Sequence, residues 1–330
     1  MSLGDVLFGK PLANYEESEQ RLGTASGIGV FGLDALSSAA YGPEAALTLL
    51  IPLGAAAVHY VVPISFSIIV LLVIVYISYR QTIAAYPGGG GSYTVARENL
   101  GQRAGLLAAA ALIIDYILVV AVGISAGVGA LVSAVPSLLP HTLVLCLGIL
   151  AVITLINLRG LRETGNIFMV PTYLFIVCLL GAIGLGLVKE LLSGGHPTPV
   201  IPPPVLKSAT GAAGLWIILK SFASGCTAMT GVEAVSNGVK AFRDPRVETA
   251  RGTLTSIIGI LILMLAGIAW LARIYHIGAT EPGEPGYQSV LSLLLAAVAG
   301  KGIFYYVSIG SILAVLALSA NTAFADFPRL

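Results

Sequence analysis

The residues of this chain that could do chemistry are acids and hydroxyls set inside apolar runs. Asp34, Ser37, Ser38 and Tyr41 recur at i, i+3, i+4 and i+7, so on a helix they line one face. Thr227, Thr230 and Glu233 form a second group, in a stretch punctuated by Gly225 and Gly231. Asp115 and Tyr116 interrupt a third apolar run. A charge at the centre of a bilayer costs at least about 2.5–3.5 kcal/mol, so it is kept by a partner or by a function. A carboxyl group at that depth can ligate a cation or carry a proton, which makes Asp34, Glu233 and Asp115 candidates for proton coupling. The same acids also fit structural pairing, Asp34 with Lys220 in particular, and Lys220 reads as one arm of a salt bridge within the bundle. Glu44 stands near the end of its run and reads as a side chain that snorkels to water. Ser319, Asn321 and Thr322 leave two readings open, a second ion site or hydrogen bonds between helices.

Other chemistries lack their residues. The histidines His59, His141, His196 and His276 all fall in or beside outside loops, and no Ser-His pair or metal cluster lies within the membrane spans. Cys146, Cys178 and Cys226 lie inside apolar runs without metal-ligand spacing and read as packing residues. The four glycines of Tyr86-Pro-Gly-Gly-Gly-Gly-Ser92 are not followed by the Gly-Lys-Ser/Thr ending that a phosphate-cradling loop needs, so this segment is expected to be a flexible turn. A net charge of +1 provides no basic footprint for nucleic acid. These observations argue against an enzyme and against any metal or organic cofactor, leaving H+ or Na+ as a coupling ion.

The elements that must position these residues follow from composition. The chain has 330 residues, of which 57% are hydrophobic and 10% charged, whereas soluble domains carry about 25% charged residues. Its mean hydropathy is +0.94. Too little polar surface exists to cover such a chain, so lipid is its solvent, and unpaired backbone groups in lipid force the apolar runs into helices. About 20 residues cross a bilayer, and eight spans are expected: 26–50, 55–79, 104–135, 142–158, 165–188, 209–239, 253–275 and 302–327. The first twenty residues are polar, unlike a signal peptide. With the N-terminus in the cytoplasm, Lys10, Arg21, Arg80, Arg97, Arg103, Arg159, Arg162, Lys240, Arg243, Arg246, Arg251 and Arg329 fall inside, while Lys189, Lys207, Arg273 and Lys301 fall outside. That asymmetry predicts a multi-pass plasma-membrane protein with a cytoplasmic N-terminus. The organisation is then an N-terminal segment 1–25, a first five-helix repeat 26–190, an external linker 191–208 with prolines that exclude a helix, and a partial second repeat 209–330.

Both the first and the sixth span are expected to be interrupted. The first holds Gly42-Pro43 beside its acids and hydroxyls; the sixth holds Gly225, Thr227, Thr230 and Gly231. Opened backbone at membrane depth is tolerated only against protein or a water-filled cavity, where carbonyls serve cations and helix N-termini serve anions. The two spans are five helices apart and so run in opposite directions, the arrangement of an inverted repeat with a site at its interface. From these features the expected function is a secondary transporter of a small solute. A passive channel would show a repeated filter sequence, which is absent.

Five stretches carry a family resemblance: Leu33-Asp-Ala-Leu-Ser-Ser-Ala-Ala-Tyr-Gly-Pro-Glu44, Tyr86-Pro-Gly-Gly-Gly-Gly-Ser-Tyr-Thr94, Asp115-Tyr116, Thr230-Gly-Val-Glu-Ala-Val-Ser-Asn-Gly238 and Ser319-Ala-Asn-Thr-Ala-Phe-Ala-Asp-Phe-Pro-Arg329. Together they resemble the amino acid–polyamine–organocation superfamily, above all its KimA-like branch of potassium–proton symporters. The resemblance implies an all-α integral membrane protein of the LeuT-like inverted-repeat fold, with broken first and sixth helices. It also implies that Asp34, Tyr41, Asp115, Tyr116, Thr230 and Glu233 line the transport path, with potassium or a small amino acid as cargo. Where the potassium symporters place further hydroxyls on the third helix, this chain has Ile117, Val119 and Gly123, a poorer set of oxygens for a dehydrated ion. The fold requires ten core helices, and this chain reaches Leu330 just after the eighth, so a fragment is expected, one that need not transport by itself. Besides the cargo, the expected partners are the lipid bilayer and a second copy in a homodimer, with no nucleic acid.

Overall fold

The computed structural model describes residues 21–158, 165–206, 209 and 214–326. Lys10, Arg159, Arg162, Lys207 and Arg329, used above for orientation, lie outside them, as does most of the segment 1–25. Helix α1 spans Thr24–Leu49, α2 Ala57–Ala85, α3 Ser92–Leu100, α4 Gln102–Ala134, α5 Thr142–Leu158 and α6 Gly165–Leu192. They are followed by α7 Leu215–Gly225, the short α8 Ala234–Asn237, α9 Arg246–Ile274, α10 Val290–Ala299 and α11 Ile303–Asp326. The protein is an all-α, multi-pass membrane protein. Seven helical segments among the described residues are long and apolar enough to cross a membrane, α7 and α8 counting together as one. Their outer faces carry exposed Phe66, Ile74, Leu107, Leu143, Leu155 and Val177, as lipid-facing surfaces do.

α1 is not among the seven. Its acids and hydroxyls lower its hydropathy, and it is sheathed by protein instead: every residue from Gly32 to Gly42 is buried. Around it pack α9, α6, α7 and α11. Small residues let them approach. A Cβ on Gly27 would stand 2.6 Å from the Phe242 ring, and one on Gly42 would collide with Ala228.

Against expectation, α1 is continuous. Pro43 lies inside an uninterrupted helix from Thr24 to Leu49. A proline deletes one backbone hydrogen bond and already has a helical φ. The helix absorbs that single loss although Pro43 itself is only half-buried. α2 and α6 likewise run through Pro63 and Pro171.

The sixth span is broken as expected. After α7, residues Cys226–Met229 form a 3₁₀ turn, Thr230 is extended (φ −63°, ψ 143°), and Gly231 takes a left-handed φ of +82° before α8 resumes. The span is antiparallel to α1. The Ser221 hydroxyl donates to the Ala46 carbonyl at 2.8 Å near one end, and the Leu22 N–H donates to the Ala241 carbonyl at 2.8 Å at the other. The side of the molecule where α1 ends is called the upper face below.

Two elements have no counterpart in the expected spans. α3 precedes the third span on the lower face. α10, ten residues long, lies between the seventh and eighth spans near the upper face, and all but its last residue are buried. Prolines 202–204 stand in extended, non-helical chain as expected.

Candidate functional site

α1 presents Asp34, Ser37, Ser38 and Tyr41 to the break in the sixth span. Asp34 and Tyr41 are each 6% exposed, and both serines are fully buried. The left-handed turn lies directly on the acid: a Cβ at Gly231 would be 2.6 Å from Asp34 Cγ and 2.8 Å from the Ala35 nitrogen. Only glycine takes this φ without cost, so the contact and the break have one cause. Ser38 ties the two elements together. Its hydroxyl lies 2.6 Å from both the Ala35 and the Ala228 carbonyls, which share its single proton. Ser37 donates to the Asp34 carbonyl at 2.8 Å, within its own helix. Both serine protons are therefore committed to the main chain.

Tyr41 is the centre of the cluster. Its hydroxyl is hydrogen-bonded to Thr230, and the carboxylates of Asp34, Asp115 and Glu233 all lie within electrostatic reach of it. Thr230 and Glu233 are half-buried, as is Asp115 on α4, while Tyr116 beside it is buried. Thr227 is half-buried and donates to the Ser224 carbonyl at 2.8 Å in its own turn. Among the described residues, no three His, Cys, Asp or Glu side chains stand close enough together to hold a metal ion. The acids each act electrostatically on Tyr41 without forming such a group. Such an arrangement, with hydroxyls and the non-helical peptide groups of residues 229–231, can take a desolvated monovalent cation or exchange protons between carboxyl groups.

Several residues were not legible. Tyr79 on α2 approaches the cluster from the lower side. It lies within electrostatic reach of Glu233 and Asp115, and its hydroxyl is 3.4 Å from Ser92 Oγ. In the sequence it is one aromatic residue among many at a helix end. The glycine loop is a clamp rather than a free turn. Gly90 N–H donates to the Ser236 carbonyl at 3.2 Å, and the Ser236 hydroxyl returns a bond to the Gly90 carbonyl at 2.8 Å. A Cβ at Gly91 would overlap the Asn237 side chain. The glycines thus let the loop backbone seat on α8, one turn beyond Glu233.

Two charges behave otherwise than expected. Lys220 is exposed, with its ammonium 5.1 Å from the centre of the Trp216 ring; as an exposed side chain on α7 it snorkels over an aromatic face. Glu44 is half-buried and turned to protein partners rather than extended to water. It accepts from the Tyr287 hydroxyl at 2.7 Å and from the Val290 N–H at 3.3 Å, because the free N–H groups at the start of α10 lie beside it. Ser319 is buried and donates to the Leu316 carbonyl of its own helix at 2.9 Å. Gly123 on α4 faces that turn, where a Cβ would be 3.2 Å from the Leu316 carbonyl oxygen, so close helix packing accounts for the absence of a hydroxyl there. A cavity of about 250 Å³ opens near the upper face between Leu47, Ile51, Pro203, Leu206, Thr280 and Tyr287. None of the acids around Tyr41 lines it.

Comparison with known proteins agrees with this architecture. A family model described as amino acid permease matches residues 29–330. The chain is 41% identical over 329 residues to a protein of Bacillus subtilis (strain 168) named potassium transporter KimA, covering all of this chain and 53% of that protein. It therefore spans about half the length of that relative. The match begins ahead of Asp34 and takes in most of α1, the broken span and α11, so on sequence and fold together the chain belongs to the amino acid permease family.

Proposed function

We propose that this chain forms the substrate-binding core of a secondary transporter in the plasma membrane, a proton-coupled symporter of potassium, rather than an enzyme. One observation carries the reading: the broken turn Thr230–Gly231 seated on Asp34, with Tyr41, Asp115 and Glu233 around it. Interrupted helices at membrane depth are where transporters bind ions and substrates. Potassium is favoured because the Bacillus relative is named a potassium transporter. A small amino acid is the second reading, favoured by the description of the matching family. In this scheme Asp34, Asp115 and Glu233 share the proton load, with H+ rather than Na+ as the coupling ion. Thr227, Thr230, Tyr41 and Tyr116 line the path, and Ser37 and Ser38 brace α1. Arg21, Arg80, Arg243 and Arg251 cluster at the lower face, where the Arg21 guanidinium is 2.8 Å from Asp244 and the Arg251 Nε donates to the Arg80 carbonyl at 2.9 Å. That concentration of basic residues supports a cytoplasmic lower face and N-terminus. A homodimer is compatible with the exposed apolar flanks.

The test is uptake by the full-length protein in proteoliposomes, with potassium, sodium and amino acids offered separately under an inward proton gradient. Potassium uptake that grows with the gradient is expected, and Asp34→Asn should abolish it while leaving the protein folded. Normal, pH-dependent uptake by Asp34→Asn would remove Asp34 from the mechanism. No uptake of any of these solutes by the parental protein would sink the transporter reading.

A further inference from the structure

α10 is held at both ends by charged side chains from two different spans. At its start, Glu44 of α1 accepts from the Val290 N–H at 3.3 Å and from the Tyr287 hydroxyl at 2.7 Å. At its end, the Lys189 ammonium of α6 donates to the Val298 carbonyl at 2.7 Å. A carboxylate at a helix N-terminus and an ammonium at its C-terminus both complement the helix dipole. Tyr287 sits in the loop outside the spans. Burial, the Glu44 charge and the bond to it push its hydroxyl above its ordinary range, so it remains a donor.

The same turn is wedged between α1 and α4. A Cβ at Gly129 of α4 would be 2.8 Å from the Tyr287 hydroxyl oxygen. The Ser289 N–H donates to Ser133 Oγ of α4 at 2.8 Å, and the Ser289 side chain caps α10 by accepting from the Ser292 N–H at 3.3 Å. Glu44 follows Tyr41 by three residues, one turn higher on the same helical face.

We infer that Glu44 is a positioning residue: through Tyr287 and the first turn of α10 it holds the upper parts of α1 and α4 together above Tyr41. It acts on α10 rather than on the cargo. Because the catch is on the helix that carries Asp34, a shift of α1 on loading or release of the site would be passed to α10. The inference rests on reading the cluster around Tyr41 as a transport site.

The experiment measures labelling by a polar thiol reagent in the full-length protein in nanodiscs, where both faces are accessible, with Cys146, Cys178 and Cys226 replaced by alanine. One reporter is Ala40→Cys, on the Glu44 face of α1 at a position now 6% exposed. The control is Gly88→Cys, exposed on the lower face. Glu44→Ala should speed labelling at position 40 by about tenfold, as expected for loss of a charge-assisted bond that holds a closed state. Tyr287→Phe, which deletes one oxygen and preserves the fold, should speed it by about threefold. Glu44→Asp, which keeps the carboxylate, should restore part of the protection. Labelling at position 88 should not change. Unchanged labelling at position 40 in Glu44→Ala and Tyr287→Phe would overturn the inference. So would equal acceleration at both reporters, which would mean a loosened fold rather than a released catch. Uptake by the parental protein reports separately on the transporter reading, so the two failures are distinguishable.

Discussion

In α1 the chain passes through Gly42 and Pro43 and stays helical to Leu49, whereas the sixth span, which contains no proline, opens at Thr230 and Gly231. The two stretches face each other and carry similar small and hydroxyl residues. What separates them is the backbone state each needs. A proline deletes one hydrogen bond but keeps a helical φ, and a long helix can absorb that, as α2 does at Pro63. A glycine at φ +82° has left helical geometry altogether. The opened strand can then lie flat on its neighbour, and Gly231 does so on Asp34. The asymmetry leaves α1 as a continuous post bearing Asp34 and Tyr41, against which the broken span lays a non-helical wall.

Gly231→Ala tests that comparison hardest. The new side chain meets a left-handed φ, which costs about 1–2 kcal/mol, and the 2.6 Å approach to Asp34 adds overpacking of about 1–3 kcal/mol. Thermal unfolding in detergent should show a destabilisation of about 2–5 kcal/mol on those two costs together. Uptake should fall to background, because the carboxylate must move. If Gly231→Ala unfolds and transports like the parent, the left-handed turn is not what seats the wall on α1.

The spans themselves were readable because hydropathy over a window of 20 residues is a strong signal. The expected 142–158 and the observed Thr142–Leu158 coincide, and the sixth-span break was announced by Gly225 and Gly231. The expected opening of α1 failed for a physical reason: Gly-Pro marks a single lost hydrogen bond, which α2 absorbs even at the exposed Pro63, and the close packing at Gly42 is set by neighbours distant in sequence. Those neighbours come from segments more than a hundred residues away, such as Ala228 against Gly42. α10 was missed because ten apolar residues are too few for a span and resemble any hydrophobic loop. Glu44 was misread with it, since its partners Tyr287 and Val290 are 243 and 246 residues away. The types and depth of Asp34, Tyr41, Thr230, Asp115 and Glu233 single them out one by one; that the other four all act on the Tyr41 hydroxyl is a property of the fold.

Ser38→Ala sharpens the comparison at the seam. The Ser38 hydroxyl joins α1 to the turn at Ala228 with a contact of 2.6 Å. Removing it leaves a buried carbonyl short of a partner, a loss of about 1–2 kcal/mol. The Ala35 carbonyl still has its helical bond, so the cost falls on the interhelical contact. Thermal unfolding should register this loss, and substrate-dependent stabilisation should weaken with it. An unchanged midpoint would mean that the glycine contacts alone hold the wall in place.

Pro43→Ala has the smallest expected effect and the most to say about the post. Because α1 is continuous, alanine regains one backbone hydrogen bond, worth about 1 kcal/mol, and loses the packing of a half-buried ring of similar value. The net change in stability should stay within about 1 kcal/mol of zero. Gly42 should keep its approach to Ala228, so uptake and the protection of an Ala40→Cys reporter should match the parent. A different outcome has a definite meaning. If Pro43 in truth holds α1 open, alanine would close the gap, lengthen the rigid segment and displace the turn at Ala228–Gly231. Uptake would then drop as far as in Gly231→Ala, and the distinction between post and wall would dissolve into two equivalent hinges.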